Sequence, residues 1–264
     1  MCGIAGYSLH RSSAVPRTLA AQALLAAIAE RGADAVGYAH RGPATPLTLH
    51  KQRTGASALL DEVEIPAETT QALIHVRDYT KGHPTIAANN HPVRHGAVVG
   101  VHNGIIVNDE EIFERNGFER DAPRQTVDTE AILALAESTD SSAKALEELT
   151  GSMACAWVDE RRPEVLFAAR GVGRPLWLGA GKRETFFAST EHALEVVEDF
   201  VDIRLRKREV AEGTLLRLEN GDVAARTRFA PNREFEESTL PAVRAPQERT
   251  ACLRRLAAIA AALG

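Results

Sequence analysis

From Met153 onward the chain is one short strand candidate after another, and this run constrains the fold more than any other feature. Stretches 153–159, 164–169, 176–179 and 185–188 come before a helical segment at 191–197, and 203–205, 214–218 and 223–226 come after it. Short apolar runs of this length between turn residues suit strands rather than helices. The first half adds strand candidates at 2–9, 36–40, 47–51 and 72–77. Two more, 97–102 and 105–107, flank Asn103-Gly104, which has the composition of a two-residue hairpin turn. Between them, Leu19, Ala20, Ala23, Leu24, Ala27 and Ile28 recur at helical spacing over 17–31, and Gly32 is expected as a left-handed stop. Asn108 with Glu111 suggests a helix cap, Gly117 a helix end, and 128–137 and 142–149 further helices. Strand runs broken by helical groups imply an α+β protein whose antiparallel sheets are covered by helices.

The last segment differs. Pro231, Pro241 and Pro246 punctuate a polar stretch, and Leu253, Leu256, Ala260 and Leu263 then return at helical spacing. The expected organisation is one domain over 2–228, followed by a linker and amphipathic helix over 229–264.

Composition excludes more than it selects. At 25% charged residues and a formal net charge of −5, with no Lys/Arg cluster interleaved with aromatics, nothing points to a nucleic-acid surface. No run reaches the ~20 apolar residues of a membrane helix, and the N-terminus lacks the pattern of a signal peptide, so no membrane association is expected. The 3 cysteines, Cys2, Cys155 and Cys252, are far apart, without C-x-x-C or a nearby His pair. That usage suits a reducing, cytoplasmic compartment, with no disulfide framework, no metal site and no cofactor.

Cys2 follows the initiator Met directly. Removal of Met1 would leave a thiol beside its own α-amine, whose ordinary pKa of about 7.7–8.0 lets it take the thiol proton near neutral pH. By itself, a Cys at this position is weak evidence, and its surroundings strengthen it. Cys2-Gly3-Ile4-Ala5-Gly6-Tyr7 is followed by Arg31-Gly32-Ala33-Asp34-Ala35-Val36-Gly37 and by His75-Val76-Arg77-Asp78-Tyr79-Thr80-Lys81-Gly82. Then come Asn90-His91-Pro92, His102-Asn103-Gly104-Ile105-Ile106-Val107-Asn108, Asp128-Thr129-Glu130, Gly173-Arg174-Pro175-Leu176 and Phe187-Ala188-Ser189. These blocks, in this order over residues 2–225, resemble the class II glutamine amidotransferases, which are N-terminal nucleophile hydrolases. The likeness is to the glutaminase domains of glucosamine-6-phosphate synthase and amidophosphoribosyltransferase.

The resemblance implies a four-layer αββα sandwich and a division of labour. Cys2 would be the nucleophile, and Asn103 and Gly104 the oxyanion donors. Arg77, with Thr80 as helper, would bind the α-carboxylate of L-glutamine, and Asp128 its α-ammonium. Arg31 and Gly32 would lie beside the nucleophile. His75, His91 and His102 are expected to be structural, and Cys155 and Cys252 inert. Asp78 and Lys81 depart from the family pattern, which leaves another γ-glutamyl amide open as substrate. After the glutaminase blocks there is no room for a synthase domain, so the ammonia acceptor is expected on a separate protein, with the terminal helix as a candidate docking element. A non-catalytic glutamine-sensing subunit is the alternative of a different class, and retention of Met1 would favour it.

Overall fold

The computed structural model describes residues 1–237, 241 and 243–263. In chain order the strands are β1 (Gly3–Leu9), β2 (Ala35–Gly42), β3 (Thr45–Gln52), β4 (Gln71–Arg77), β5 (Val93–His95), β6 (Val98–Ile106), β7 (Gly151–Asp159), β8 (Val165–Arg170), β9 (Trp177–Ala180), β10 (Glu184–Ala188), β11 (Arg206–Glu209), β12 (Thr214–Glu219) and β13 (Asp222–Arg228). The helices are α1 (Arg17–Ile28), α2 (Ala56–Leu59), α3 (Asp109–Asn116), α4 (Thr129–Ser138), α5 (Glu191–Val201) and α6 (Pro246–Leu263). The strands form a 7-stranded sheet, β11-β9-β10-β1-β4-β2-β3, and a 6-stranded sheet, β13-β12-β8-β7-β6-β5.

Period-two patterning explains the layers. In β1 Ile4 points one way and Ala5 and Tyr7 the other; in β7 Ala154 and Ala156 oppose Cys155 and Trp157. Ile4, Leu73, Val99, Val101, Ala154 and Phe187 fill the space between the sheets. Tyr7, Ile74, Val76 and Phe186 pack outward beneath α1, α5 and α6, while Trp157 and Phe167 pack beneath α4. Strands covered on both faces lose the polar-out alternation of a solvated sheet. This is why all of β1 and β7 is buried. The result is helix, sheet, sheet, helix.

Several local expectations change. Asn103-Gly104 is not a turn: β6 runs straight through it, pairing Asn103 with Ala154 and Gly104 with Met153. Turn propensity is a local preference of a fraction of the energy available from a full ladder and two packed faces, so the long pairing prevails. Glycine is needed at 104 for another reason. Its φ is +151°, and a Cβ there would lie 2.0 Å from the Ser152 carbonyl oxygen. Gly32 is likewise not left-handed: its φ is 178°, extended backbone, and a 3-10 turn at Ala29–Arg31 ends the helix before it. A Cβ at Gly32 would meet the Arg77 carbonyl at 2.4 Å, so close approach to β4 is what excludes a side chain. Asn108 precedes α3 but does not cap it; its side chain bridges Glu148 O and Thr150 N instead. The segment 142–149 is a 3-10 helix over Ala143–Glu148, and the strand expected at 203–205 forms later, as β11.

The terminal helix α6 packs on α1, with Cys252 and Leu256 fully buried and Leu253 and Ala260 against the same cluster. The apolar stripe expected to dock a partner is therefore spent largely on this chain's own domain. Residues 238–240 and 242 of the expected linker, and the Leu263 side chain, lie outside the described residues. No described helix is long and apolar enough to cross a membrane.

Candidate functional site

The site forms at one end of the sandwich, where β1, β4 and β6 bring their inner faces together. Cys2 immediately precedes β1, Arg77 ends β4, and Asn103 shares the inner face of β6 with Val99 and Val101. Residues separated by a hundred positions meet there because β1 pairs with β4 in a fixed register, Gly3 opposite Val76, and the second sheet lies across them.

Two adjoining cavities share Cys2. One is walled by Cys2, Arg77, Thr80, Lys81, Gly104 and Asp128, with His91, His102 and Thr129 behind them. The other is walled by Met1, Cys2, Asp78, Asn103, Gly104 and Arg174, with Thr80 at its edge. The eight residues singled out from the sequence come together here. Six line the cavities, and Arg31 and Gly32 buttress them. Arg31 Nε donates to the Cys2 carbonyl at 2.9 Å, and Gly32 backs onto Arg77. Asp34, in the same motif, donates its N–H to Arg77 O at 2.9 Å and accepts from Tyr79 N at 2.9 Å, which ties the loop after β4 in place.

Each side chain is held by specific partners. The Cys2 thiol donates to Asp78 O at 3.4 Å. Burial pushes this thiol above its ordinary range, while Arg77 and the chain's terminal ammonium pull it down. Arg77 is buried; it donates from Nη1 to Asn90 Oδ1 at 2.5 Å and from Nη2 to Lys81 O at 2.8 Å and to Gly82 O. Asp128 sits at the start of α4 without capping it, and accepts the Ile106 N–H at 2.7 Å. Asn103 is 1% exposed, and its Nδ2 has no hydrogen-bond partner. An unused donor in a buried site is costly unless something fills it, so it marks a position where an acceptor is expected.

The three histidines form a support behind the site. His75 stacks on His91 at 4.0 Å between centroids, and His91 Nε2 and His102 Nδ1 both meet the Thr129 hydroxyl. His75 Nε2 lies 3.1 Å from His102 O. Burial lowers all three, His75 to about 3, so they are neutral near pH 7. Cys155 lies beneath α4 with its thiol pushed up by burial, and Cys252 is pushed up to about 12, also by burial. Among the described residues no group of three His, Cys, Asp or Glu side chains could hold a metal ion.

Sequence reasoning missed several participants. The Asp78 carboxylate pairs with the Met1 ammonium and, at 2.9 Å, with Arg244 Nε from the segment before α6. Nothing in the sequence links positions 78 and 244. Lys51, on β3, donates to Asn90 O at 3.0 Å and Pro92 O at 3.2 Å, and so fixes the loop that holds Arg77. Arg174 stood in a motif block but had no assigned role.

The comparisons with known proteins bear on the family and the fold. A family model described as a glutamine amidotransferase domain matches residues 76–196. Glutamine–fructose-6-phosphate aminotransferase (isomerizing) of Methanothermobacter thermautotrophicus is 35% identical over 208 residues, covering 74% of this chain and 34% of that protein. The Haemophilus influenzae protein of the same name is 35% identical over 227 residues, covering 81% of this chain and 35% of its own length. The chain thus spans about a third of the length of the curated relatives it matches. Among solved structures, glutamine phosphoribosylpyrophosphate amidotransferase from B. subtilis superposes with a TM-score of 0.69 at 22% identity, covering 88% of this chain and 50% of that one. This second likeness speaks for the fold alone, the αββα sandwich. Ordered motifs, the strand that opens behind Cys2 and these relatives lead to one assignment: the chain belongs to the class II glutamine amidotransferases, enzymes of the N-terminal nucleophile type.

Proposed function

We propose that this chain hydrolyses the side-chain amide of L-glutamine to glutamate and ammonia through Cys2, and that the ammonia serves an acceptor on a separate protein. The observation that carries the reading is the buried, unpartnered Nδ2 of Asn103, which lines one cavity with Cys2 and Gly104. A donor with no ground-state partner is suited to negative charge that appears only during attack.

The steps follow from the residues. Once Met1 is removed, the α-amine of Cys2 takes the thiol proton, and the thiolate attacks the carboxamide carbon. The oxygen becomes an oxyanion that receives hydrogen bonds from Asn103 Nδ2 and Gly104 N. Ammonia leaves with a proton from the α-ammonium, and water then cleaves the γ-glutamyl thioester to glutamate. The guanidinium of Arg77, oriented by Asn90, Lys81 and Gly82, keeps its remaining donors for the substrate α-carboxylate. Asp128, with one oxygen on Ile106 N, has the other for the α-ammonium. Thr80 lines both cavities and helps to enclose the substrate.

A larger γ-substituent finds no free charge at the departing positions. Lys81 is held by Asp109 at 2.6 Å, and Asp78 by Arg244 at 2.9 Å, a pair that does not depend on Met1. This favours glutamine itself. An acceptor protein would find exposed apolar residues in the chain segments next to the site. Tyr79, Val107 and Val243 are large exposed apolar residues. Tyr79 lines a cavity, Val107 lies two residues beyond the cavity-lining Ile105, and Val243 precedes Arg244.

Intact mass and glutamate release measured on the same purified sample test the reading. Active protein should lack the mass of Met1, and Cys2→Ala should abolish release while Cys155→Ala leaves it unchanged. Full activity in a sample that retains Met1 would overturn the α-amine mechanism.

A further inference from the structure

Arg174 is a charged group at the nucleophile that the mechanism above does not use. It lies in the turn between β8 and β9, after Gly173, whose φ of +73° turns the chain toward the site. It lines the cavity that contains Cys2, Asn103 and Gly104. Two of its nitrogens are held: Nη1 donates to Gly173 O at 3.2 Å, and Nη2 pairs with Glu237 from the segment after β13. Its Nε is buried and has no partner. Arg31, which donates to the Cys2 carbonyl, also has a buried nitrogen without a partner, Nη2. The two guanidinium groups repel each other, and each is favoured by negative charge on Cys2.

Arg174 on the cavity wall and Arg31 on the Cys2 carbonyl put two like charges, each with an unused buried N–H, beside one cysteine, an arrangement that is unfavourable while the thiol is neutral. It is relieved when the sulfur is an anion. Arginine keeps its charge at any working pH, so it acts as a constant field rather than a proton carrier. We propose that Arg174 is a positioning residue that holds the Cys2 sulfur as thiolate, with the Glu237 carboxylate tempering its charge. The inference deepens the proposed function and rests on Cys2 as nucleophile. Such a field would offset the burial of the Cys2 thiol, which by itself acts against ionisation. The other charged groups facing Cys2 are Asp78 and Arg77 from β4 and the loop behind it, Arg31 from the turn after α1, and the Met1 ammonium, whose place the α-amine of Cys2 takes once Met1 is removed. Lys81, His91, His102 and Asp128 lie further round the shared cavity.

The test is the pH dependence of Cys2 alkylation by iodoacetamide, read by mass spectrometry of the N-terminal peptide in the intact full-length protein without glutamine. The thiolate displaces iodide and gains the carboxamidomethyl group, so the rate follows the thiolate fraction. Arg174→Gln should raise the midpoint by about one pH unit, a tenfold slower reaction below the midpoint. Arg174→Lys should recover part of the shift, because it restores the charge. Glu237→Gln, in the segment after β13, should lower the midpoint, because it removes the tempering carboxylate. A loss of packing would not move the two variants in opposite directions. The proposal falls if Arg174→Gln leaves the midpoint in place, or if Glu237→Gln fails to move it the other way. Because no glutamine is present, either result stands apart from the glutaminase assay. Activity surviving Cys2→Ala would instead sink the function reading.

Discussion

Asn103→Ala should separate catalysis from stability in this protein more clearly than any other single change. The residue is buried, and its Nδ2 makes no hydrogen bond before substrate arrives. Truncation therefore removes a desolvated, unsatisfied group, which relieves about 1–3 kcal/mol. It also leaves a small void between the sheets, which costs about the same. The two nearly cancel, so the melting temperature should stay within about 2–4 °C of the parent. The catalytic loss does not cancel. One oxyanion donor contributes about 2.7–4 kcal/mol in the transition state, so kcat should fall ~10²–10³-fold, with KM little changed. Steady-state glutamate release and a thermal melt on the same preparation read both quantities. A kcat within about threefold of the parent, below 1 kcal/mol, would refute the oxyanion assignment. A fall in kcat matched by a collapse in melting temperature would refute the stability bookkeeping.

Other outcomes follow from the same geometry. Arg77→Lys and Asp128→Asn should mainly raise KM for glutamine, because the substrate contacts proposed for them would exist in ground and transition states alike; a pure kcat effect in both would mean that their roles are misassigned. Stability should fall as pH drops below about 6.5. The folded-state pKa values of His75, His91 and His102 lie below the unfolded one, so only the unfolded chain takes up protons there. Their contribution is complete above the unfolded pKa and is lost toward the folded values, about 3 for His75, and urea titrations at pH 7 and 5.5 that agree would contradict it. Deleting residues 246–264 should lower stability by several kcal/mol, since Leu256 and Cys252 are fully buried against α1 and a Leu alone contributes about 1.5–3 kcal/mol. An unchanged melting temperature would show that α6 does not hold the domain together.

Much of the fold and site was legible along the chain, because it rests on short-range regularities. Short apolar runs between turn residues marked most strands to within a residue or two, and helical spacing marked α1, α5 and α6. A cysteine behind the initiator Met, followed by ordered motif blocks, pointed to residues that the fold brings to shared cavities. What the chain could not state locally was partnership. Asn103-Gly104 has the composition of a turn, yet it lies inside β6, because a ladder with β7 outweighs the preference of two residues. Gly32 looked like a helix stop by conformation, and its true constraint is the carbonyl of Arg77, 45 positions away. Glu237 and Arg244 are charged residues like any others in the sequence, Arg174 stood in a motif block without a role, and Asp78 was marked only as a departure from the family pattern. Only in the folded chain do Asp78 and Arg174 share a cavity with Cys2, with Arg244 paired to the first and Glu237 to the second. Coulombic interaction depends on distance in space and on burial, and neither is set until the register of β1, β4 and β6 is fixed.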